Sequence, residues 1–161
     1  MSTELLSISE KDIPAVAEIE KSCFSAPWSE ETLISELKNP LNLFFGIFED
    51  GKLCGYIGGQ TVAGETSIFN VGVLPEFRRR GFGKALVERF IAEVKPNTDV
   101  IFLEVRPRNL AAIGLYEKEG FVFCGIRKDY YTNPKEDAIL MRLAFDGTQE
   151  CEDPIECWDE E

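Results

Sequence analysis

An apolar strand that runs straight into a basic, glycine-punctuated turn and then into an amphipathic helix constrains this chain more than any other feature. The segment is Asn70-Val71-Gly72-Val73-Leu74-Pro75-Glu76-Phe77-Arg78-Arg79-Arg80-Gly81-Phe82-Gly83-Lys84-Ala85-Leu86. Glycines let a backbone approach a ligand closely. The unpaired N–H groups at a helix start, with the positive end of its dipole, hold anionic oxygens. Three consecutive arginines add charge-assisted donors for the same anion. The spacing differs from two other phosphate loops, since a P-loop needs G-x-x-x-x-G-K-[ST] and the dinucleotide fingerprint needs G-x-G-x-x-G. What stands here is R-x-x-G-x-G between strand and helix, the pattern of a pyrophosphate cradle.

Of the 161 residues, 44% are hydrophobic, enough for one good core and so for a single α/β domain, expected over residues 1–145. No apolar run approaches the length of about 18 residues that a membrane span needs, and Met1-Ser2-Thr3-Glu4 lacks the order of a signal peptide. A soluble, cytoplasmic protein is expected, with no membrane partner. Cys23, Cys54, Cys124, Cys151 and Cys157 are widely spread, and there is no histidine. Free or buried thiols are therefore expected, with neither a disulfide framework nor a metal site. The formal net charge of −12 argues against direct nucleic-acid binding. Residues 146–161 hold eight acids and no Lys or Arg, and read as a solvated acidic tail with Ile155 and Trp158 as its candidate anchors.

The periodicities predict a strand at 5–8, a helix opened by Asp12-Ile13-Pro14, and a second helix capped by Ser29. A hairpin follows at 43–62 around Asp50-Gly51, then a strand at 66–73. After the basic turn come a helix at 83–94, a strand at 100–105, a helix from Asn109 or Leu110 to Glu119, and strands near 121–126 and 138–145. The order is β-α-α-β-β-β-α-β-α-β-β.

The basic turn and this order resemble the GNAT acyltransferases, over about residues 4–145. The resemblance implies a mixed, mostly antiparallel sheet of about seven strands flanked by four helices, and acetyl-coenzyme A as cosubstrate. Within that family, Pro27-Trp28-Ser29, the strand end Leu103-Glu104-Val105-Arg106, the run Asn109 to Phe121, and Arg127-Lys128-Asp129-Tyr130-Tyr131 leading to Glu136-Asp137-Ala138-Ile139-Leu140-Met141 are similar to the ribosomal-protein N-terminal alanine acetyltransferases. Pro107-Arg108 departs from the small polar residues usual there, Phe82 is bulkier than the usual aliphatic residue, and the acidic tail has no counterpart.

Acetyl transfer from a thioester needs a base for the amine, support for an oxyanion and a proton for the leaving sulfur. From its alternating strand alone, Glu104 reads equally as a solvent-facing carboxylate. The resemblance makes it the general base, acting through water, and makes Tyr116 the general acid. Tyr116 lies about two turns into its helix, with a phenol whose ordinary pKa of about 10 is near that of a thiol. Asn109 caps that helix, binds the coenzyme, or does both. Val71, Gly72 and Val73 are expected to hold the pantetheine arm by backbone groups on a splayed strand, Gly72 by allowing close approach. Arg79, Arg80, Gly81, Phe82, Gly83 and Lys84 are expected at the phosphates, whereas Arg78 serves either the motif or an acid across the fold. Trp28, Tyr130, Tyr131 and Asp137 are the substrate-side candidates.

At pH 7 about a tenth of N-terminal amines but under about a thousandth of lysines are neutral, so a weak base suits an N-terminus. The expected partner is a protein N-terminus, the alanine of a small-subunit ribosomal protein, drawn as a basic peptide to an acidic surface. Two rivals stand beside it: transfer to a small-molecule amine or a lysine, and a noncatalytic acyl-coenzyme A sensor or partner-dependent subunit.

Overall fold

The computed structural model describes residues 2–132 and 134–145. The acidic tail, with Ile155 and Trp158, lies outside the described residues. The elements follow the expected order: β1 (Thr3–Ser7), α1 (Ile13–Cys23), α2 (Glu30–Lys38), β2 (Asn42–Glu49), β3 (Lys52–Val62), β4 (Glu65–Val73), α3 (Phe82–Val94), β5 (Val100–Val105), α4 (Leu110–Lys118), β6 (Val122–Tyr131) and β7 (Glu136–Ala144). The sheet order is β1-β2-β3-β4-β5-β7-β6. Its one parallel pair is β4 with β5, and the others are antiparallel.

Local signals set the ends of these elements. Ser29 caps α2 by accepting the Thr32 N–H at 3.1 Å, as a serine just before an acidic first turn should. Asp12 sits at the start of α1, but its carboxylate turns back to accept the Ser9 N–H at 2.9 Å, so it closes the preceding turn instead of capping the helix. Asp50-Gly51 and Ala63-Gly64 all have positive φ, which gives both hairpins the backbone twist that matches their strands. β6 runs to Tyr131, well past the expected end near Ile126. Its ladder is interrupted between Arg127 and Tyr131, where Asp129 takes φ 53°. The polar Arg127-Lys128-Asp129 looks like a loop by composition and is a bulged strand in space.

The sheet is packed on both faces. Leu86, Val87 and Phe90 of α3 meet Ile101, Leu103 and Met141 on one side, and Ile13, Val16 and Ile19 of α1 with Leu33 of α2 meet Phe44, Phe48 and Tyr56 on the other. Cys23 and Cys54 are free thiols.

The feature that positions the site is a divergence of strands. β4 and β5 pair only over Glu65–Ser67 and Val100–Phe102. Beyond that, β4 stays on β3 as far as Val73 and β5 stays on β7 as far as Val105. The facing edges of β4 and β5 are left without ladder partners, and a wedge opens between them.

Candidate active site

A cleft of about 460 Å³ occupies this wedge. Ile68 to Val71 of β4 and Leu103 to Val105 of β5 line it, together with Asn109, Ala112 and Tyr116 and with Trp28, Tyr130 and Tyr131. Seven residues singled out from the sequence, Trp28, Val71, Glu104, Asn109, Tyr116, Tyr130 and Tyr131, therefore share one cavity.

Alternation along β5 buries Ile101, Leu103 and Val105 and leaves Phe102 and Glu104 on the opposite face. The Glu104 side chain is 23% exposed, with Arg127 Nη1 at 3.5 Å. Burial raises its pKa, while the Arg127 charge and a hydrogen bond from Tyr130 pull it down; the net shift is upward. A carboxylate tuned upward is a better proton acceptor near neutrality than an ordinary one.

Tyr116 is 7% exposed and its ring packs on Phe121 at 5.7 Å between centroids. Burial pushes its phenol well above the ordinary value. The near match to a thiol expected from the sequence is therefore shifted. The phenol therefore stays protonated throughout the physiological range. Asn109 caps α4, its Oδ1 accepting the Ala112 N–H at 3.3 Å, and it also lines the cleft.

The basic turn enters α3 through Gly81, whose φ of 80° only glycine adopts freely. Among the described residues no side chain caps the helix start, which leaves its first N–H groups to an anion. A Cβ on Gly83 would meet only Leu115, at an ordinary 3.5 Å. Folding does not require glycine there, whereas close approach of a ligand would. Phe82 is 8% exposed and stacks on Phe77 at 6.3 Å, so its bulk fills core space beneath the turn.

Several expectations change at this site. Arg80 forms an ion pair with Glu49 of β2 and lies 4.9 Å over the Phe82 ring, so its side chain is committed away from the helix start. Among the described residues Arg78 pairs with no acid; its Nε donates to the Val73 carbonyl at 2.9 Å. That carbonyl also accepts from the Cys23 thiol at 3.4 Å, so in this structure it is occupied from within the protein. At Gly72 a Cβ would press on Ile19 at 3.0 Å and Cys23 at 3.2 Å. Packing of α1 on the sheet explains that glycine, with no appeal to a ligand. Asp137 is absent from the cleft lining; its Oδ1 accepts the Asp129 N–H at 2.9 Å and holds the β6 bulge.

Two residues at the cleft went unrecognised in the sequence. Arg106 donates to Ser25 Oγ at 3.0 Å and the Thr132 carbonyl at 3.0 Å, to Glu136 at 3.0 Å and the Pro134 carbonyl at 3.0 Å, and stacks 4.3 Å from the Tyr131 ring. It ties the loop before α2 to the turn after β6. Arg108, the departure after Pro107, adds a second guanidinium to Glu136 at 3.1 Å. Glu20 of α1 is the other. It is fully buried and accepts the Trp28 N–H at 2.8 Å and Asn70 Nδ2 at 2.9 Å. Its signal was an acid four residues after Val16, on the helix stripe that faces the core.

A model of the acetyltransferase (GNAT) family matches residues 13–121. The [ribosomal protein bS18]-alanine N-acetyltransferase of Escherichia coli K12 is 40% identical over 140 residues, spanning 85% of this chain and 94% of that one. The N-alpha-acetyltransferase RimI of Mycobacterium tuberculosis is 33% identical over 141 residues, spanning 84% and 88%. The crystal structure of the ribosomal-protein-S18-alanine N-acetyltransferase from Escherichia coli superposes with a TM-score of 0.82 at 38% identity, covering 89% of this chain and 94% of that one.

Proposed function

Since the chain belongs to the GNAT family of acetyltransferases and is an acetyl-CoA-dependent N-acetyltransferase, we propose that its acceptor is the α-amine of an N-terminal alanine on a small-subunit ribosomal protein. The observation that carries this reading is the convergence of Glu104 and Tyr116, a carboxylate and a phenol, on one cleft that Trp28, Tyr130 and Tyr131 also line. Aromatic walls suit the first residues of an extended peptide. The relatives named for ribosomal protein bS18 supply the acceptor class. A ribosomal acceptor also places the enzyme in the cytoplasm.

The residues divide the work as follows. Backbone groups of Val71, Gly72 and Val73 hold the pantetheine arm, with the Val73 carbonyl becoming available when Arg78 turns to the phosphates. Arg79, Gly81, Phe82, Gly83 and Lys84 offer backbone N–H groups and charge to the pyrophosphate, and the backbone of Arg80 joins them. Asn109 meets the arm from the start of α4. Acetyl-CoA supplies the thioester. The amine nitrogen bonds to the carbonyl carbon, its proton passes through water to Glu104, and the carbon–sulfur bond breaks as Tyr116 gives its proton to the sulfur. The transfer is direct, with no acyl-enzyme.

Gly83 gives a separate handle on coenzyme binding. Gly83→Ala is expected to leave the fold intact and to gain about 0.5–1 kcal/mol from helix propensity. It should weaken acetyl-CoA binding about tenfold by crowding the ligand. Thermal unfolding and calorimetric titration check the two halves, and unchanged acetyl-CoA affinity would remove Gly83 from the site.

The acceptor is tested by incubating the enzyme with acetyl-CoA and ribosomal protein bS18 bearing a free N-terminal alanine, then locating the acetyl group by fragment-ion mass spectrometry. Acetyl on the α-nitrogen supports the proposal. Acetyl on lysine, or on small amines alone, refutes it.

A further inference from the structure

Among the described residues, the buried polar side chains are Glu20, Thr66 and Thr98. The two threonines satisfy one another at 2.8 Å. Glu20 is different in kind, because a carboxylate taken out of water is costly unless donors surround it. All its partners are donors: the Trp28 N–H to Oε1 at 2.8 Å, Asn70 Nδ2 to Oε2 at 2.9 Å, and the Tyr56 hydroxyl to Oε2. Asn70 Nδ2 lies also 3.3 Å from the Tyr56 oxygen.

This arrangement fixes which way the Asn70 amide points. Burial raises the Glu20 pKa, but with the Trp28 N–H, the Tyr56 hydroxyl and Asn70 Nδ2 all donating to it, Glu20 accepts as a carboxylate and Asn70 presents its NH₂ to it. Its Oδ1 then points away from Glu20. Among the described residues Oδ1 has no hydrogen-bond partner and is not a buried orphan, and Asn70 lines the cleft beside Val71. Building on the reading that this cleft receives an amine, we infer that Glu20 is a positioning residue that holds Asn70 Oδ1 in the cleft as an acceptor for an N–H of the incoming α-amine.

An acceptor is the required polarity at that point. The amine must keep its lone pair free for the carbonyl carbon, so its N–H bonds are the ones to grip. Were the amide reversed, its NH₂ would donate to that lone pair and oppose attack. Glu20 prevents the reversal from inside the protein, and through the Trp28 N–H it anchors the loop whose Trp28 ring packs 5.7 Å from Phe69. The acceptor's amine and its aromatic wall are thereby set by one carboxylate.

The test compares an alanine-first peptide with its desamino analogue, in which a propionyl group replaces the alanyl residue, binding to the enzyme with coenzyme A present. In Glu20→Gln the new amide donates to Asn70 Oδ1 and turns the Asn70 NH₂ outward. The preference for the free amine is expected to fall about tenfold, the worth of one charge-assisted hydrogen bond. Asn70→Ala, which keeps Glu20, should lose the same preference, and it decides the matter if the Gln variant does not fold. A merely structural role would weaken both peptides alike and leave their ratio unchanged, and that result in Asn70→Ala overturns the inference. Wild-type turnover of the alanine peptide is read in the same series. Its absence sinks the functional reading, whereas turnover with an unaltered ratio in Asn70→Ala sinks this inference alone.

Discussion

Glu104→Gln is expected to lower kcat by about two to three orders of magnitude, the contribution of a placed general base. The substitution keeps the shape and hydrogen-bonding reach of the side chain, so the cleft persists and acetyl-CoA binding should hold within about twofold, the residue lying on β5 away from the α3 anion turn. The pH profile separates a base from a mere contact. The folded-state pKa of Glu104 lies above the ordinary carboxylate value because burial outweighs Arg127 and Tyr130. The basic form is therefore lost, as pH falls, earlier than for an exposed glutamate, and this sets the acid limb of the wild-type profile. Glu104→Gln should lack that limb. Arg127→Gln removes the charge 3.5 Å away that favours the ionised form, so the Glu104 pKa rises further and the limb moves to higher pH. A limb that stays in place in both variants would show that another group titrates.

Tyr116→Phe should cost about a hundredfold in kcat, at the lower end for loss of a general acid. The Phe ring retains the packing on Phe121 at 5.7 Å and removes only a hydroxyl, so the fold should survive with a melting temperature near wild type. The defect should shrink when the donor is an acyl thioester with a more acidic thiol, because a better leaving group needs less protonation. An equal loss on both donors would assign Tyr116 to packing alone. The large upward shift of the phenol by burial predicts no basic limb from Tyr116 in the accessible range. An ascending limb near pH 8 that is common to all variants belongs to the amine, whose ordinary pKa is about 7.7–8.0, and is separate from the lower limb set by Glu104.

Fold and chemistry were legible in this chain to different depths. Element order followed from periodicity and turn residues, since Ser29, Asp50-Gly51 and the Gly81 turn act within a few residues of themselves. Glu104, Tyr116 and the α3 start stand out as candidates because each falls inside a contiguous motif, and the first two line the cleft. The misread residues depend on distant neighbours. Gly72 looks like a glycine demanded by a ligand until α1, laid across it, accounts for its missing side chain, and Asp137 looks like a free carboxylate until the bulge at Asp129 claims it. Arg80 belongs to the phosphate motif by spacing and to Glu49, on a strand 31 residues earlier, by geometry. Glu20 and Arg106 were passed over for the same reason. Their partners, Tyr56 and Asn70 for one and Ser25, Thr132 and Glu136 for the other, are brought together by the sheet and are not adjacent in sequence.

Thiol release from acetyl-CoA, measured with a short peptide that begins with alanine and carries basic residues after it, and with the same peptide blocked at its N-terminus, tests direct transfer to an α-amine at the Glu104–Tyr116 cleft most directly. Saturable turnover on the free peptide that disappears on blocking and collapses in Glu104→Gln is the predicted result. Equal turnover of the free and blocked peptides, or full turnover of the free peptide by Glu104→Gln, would contradict it.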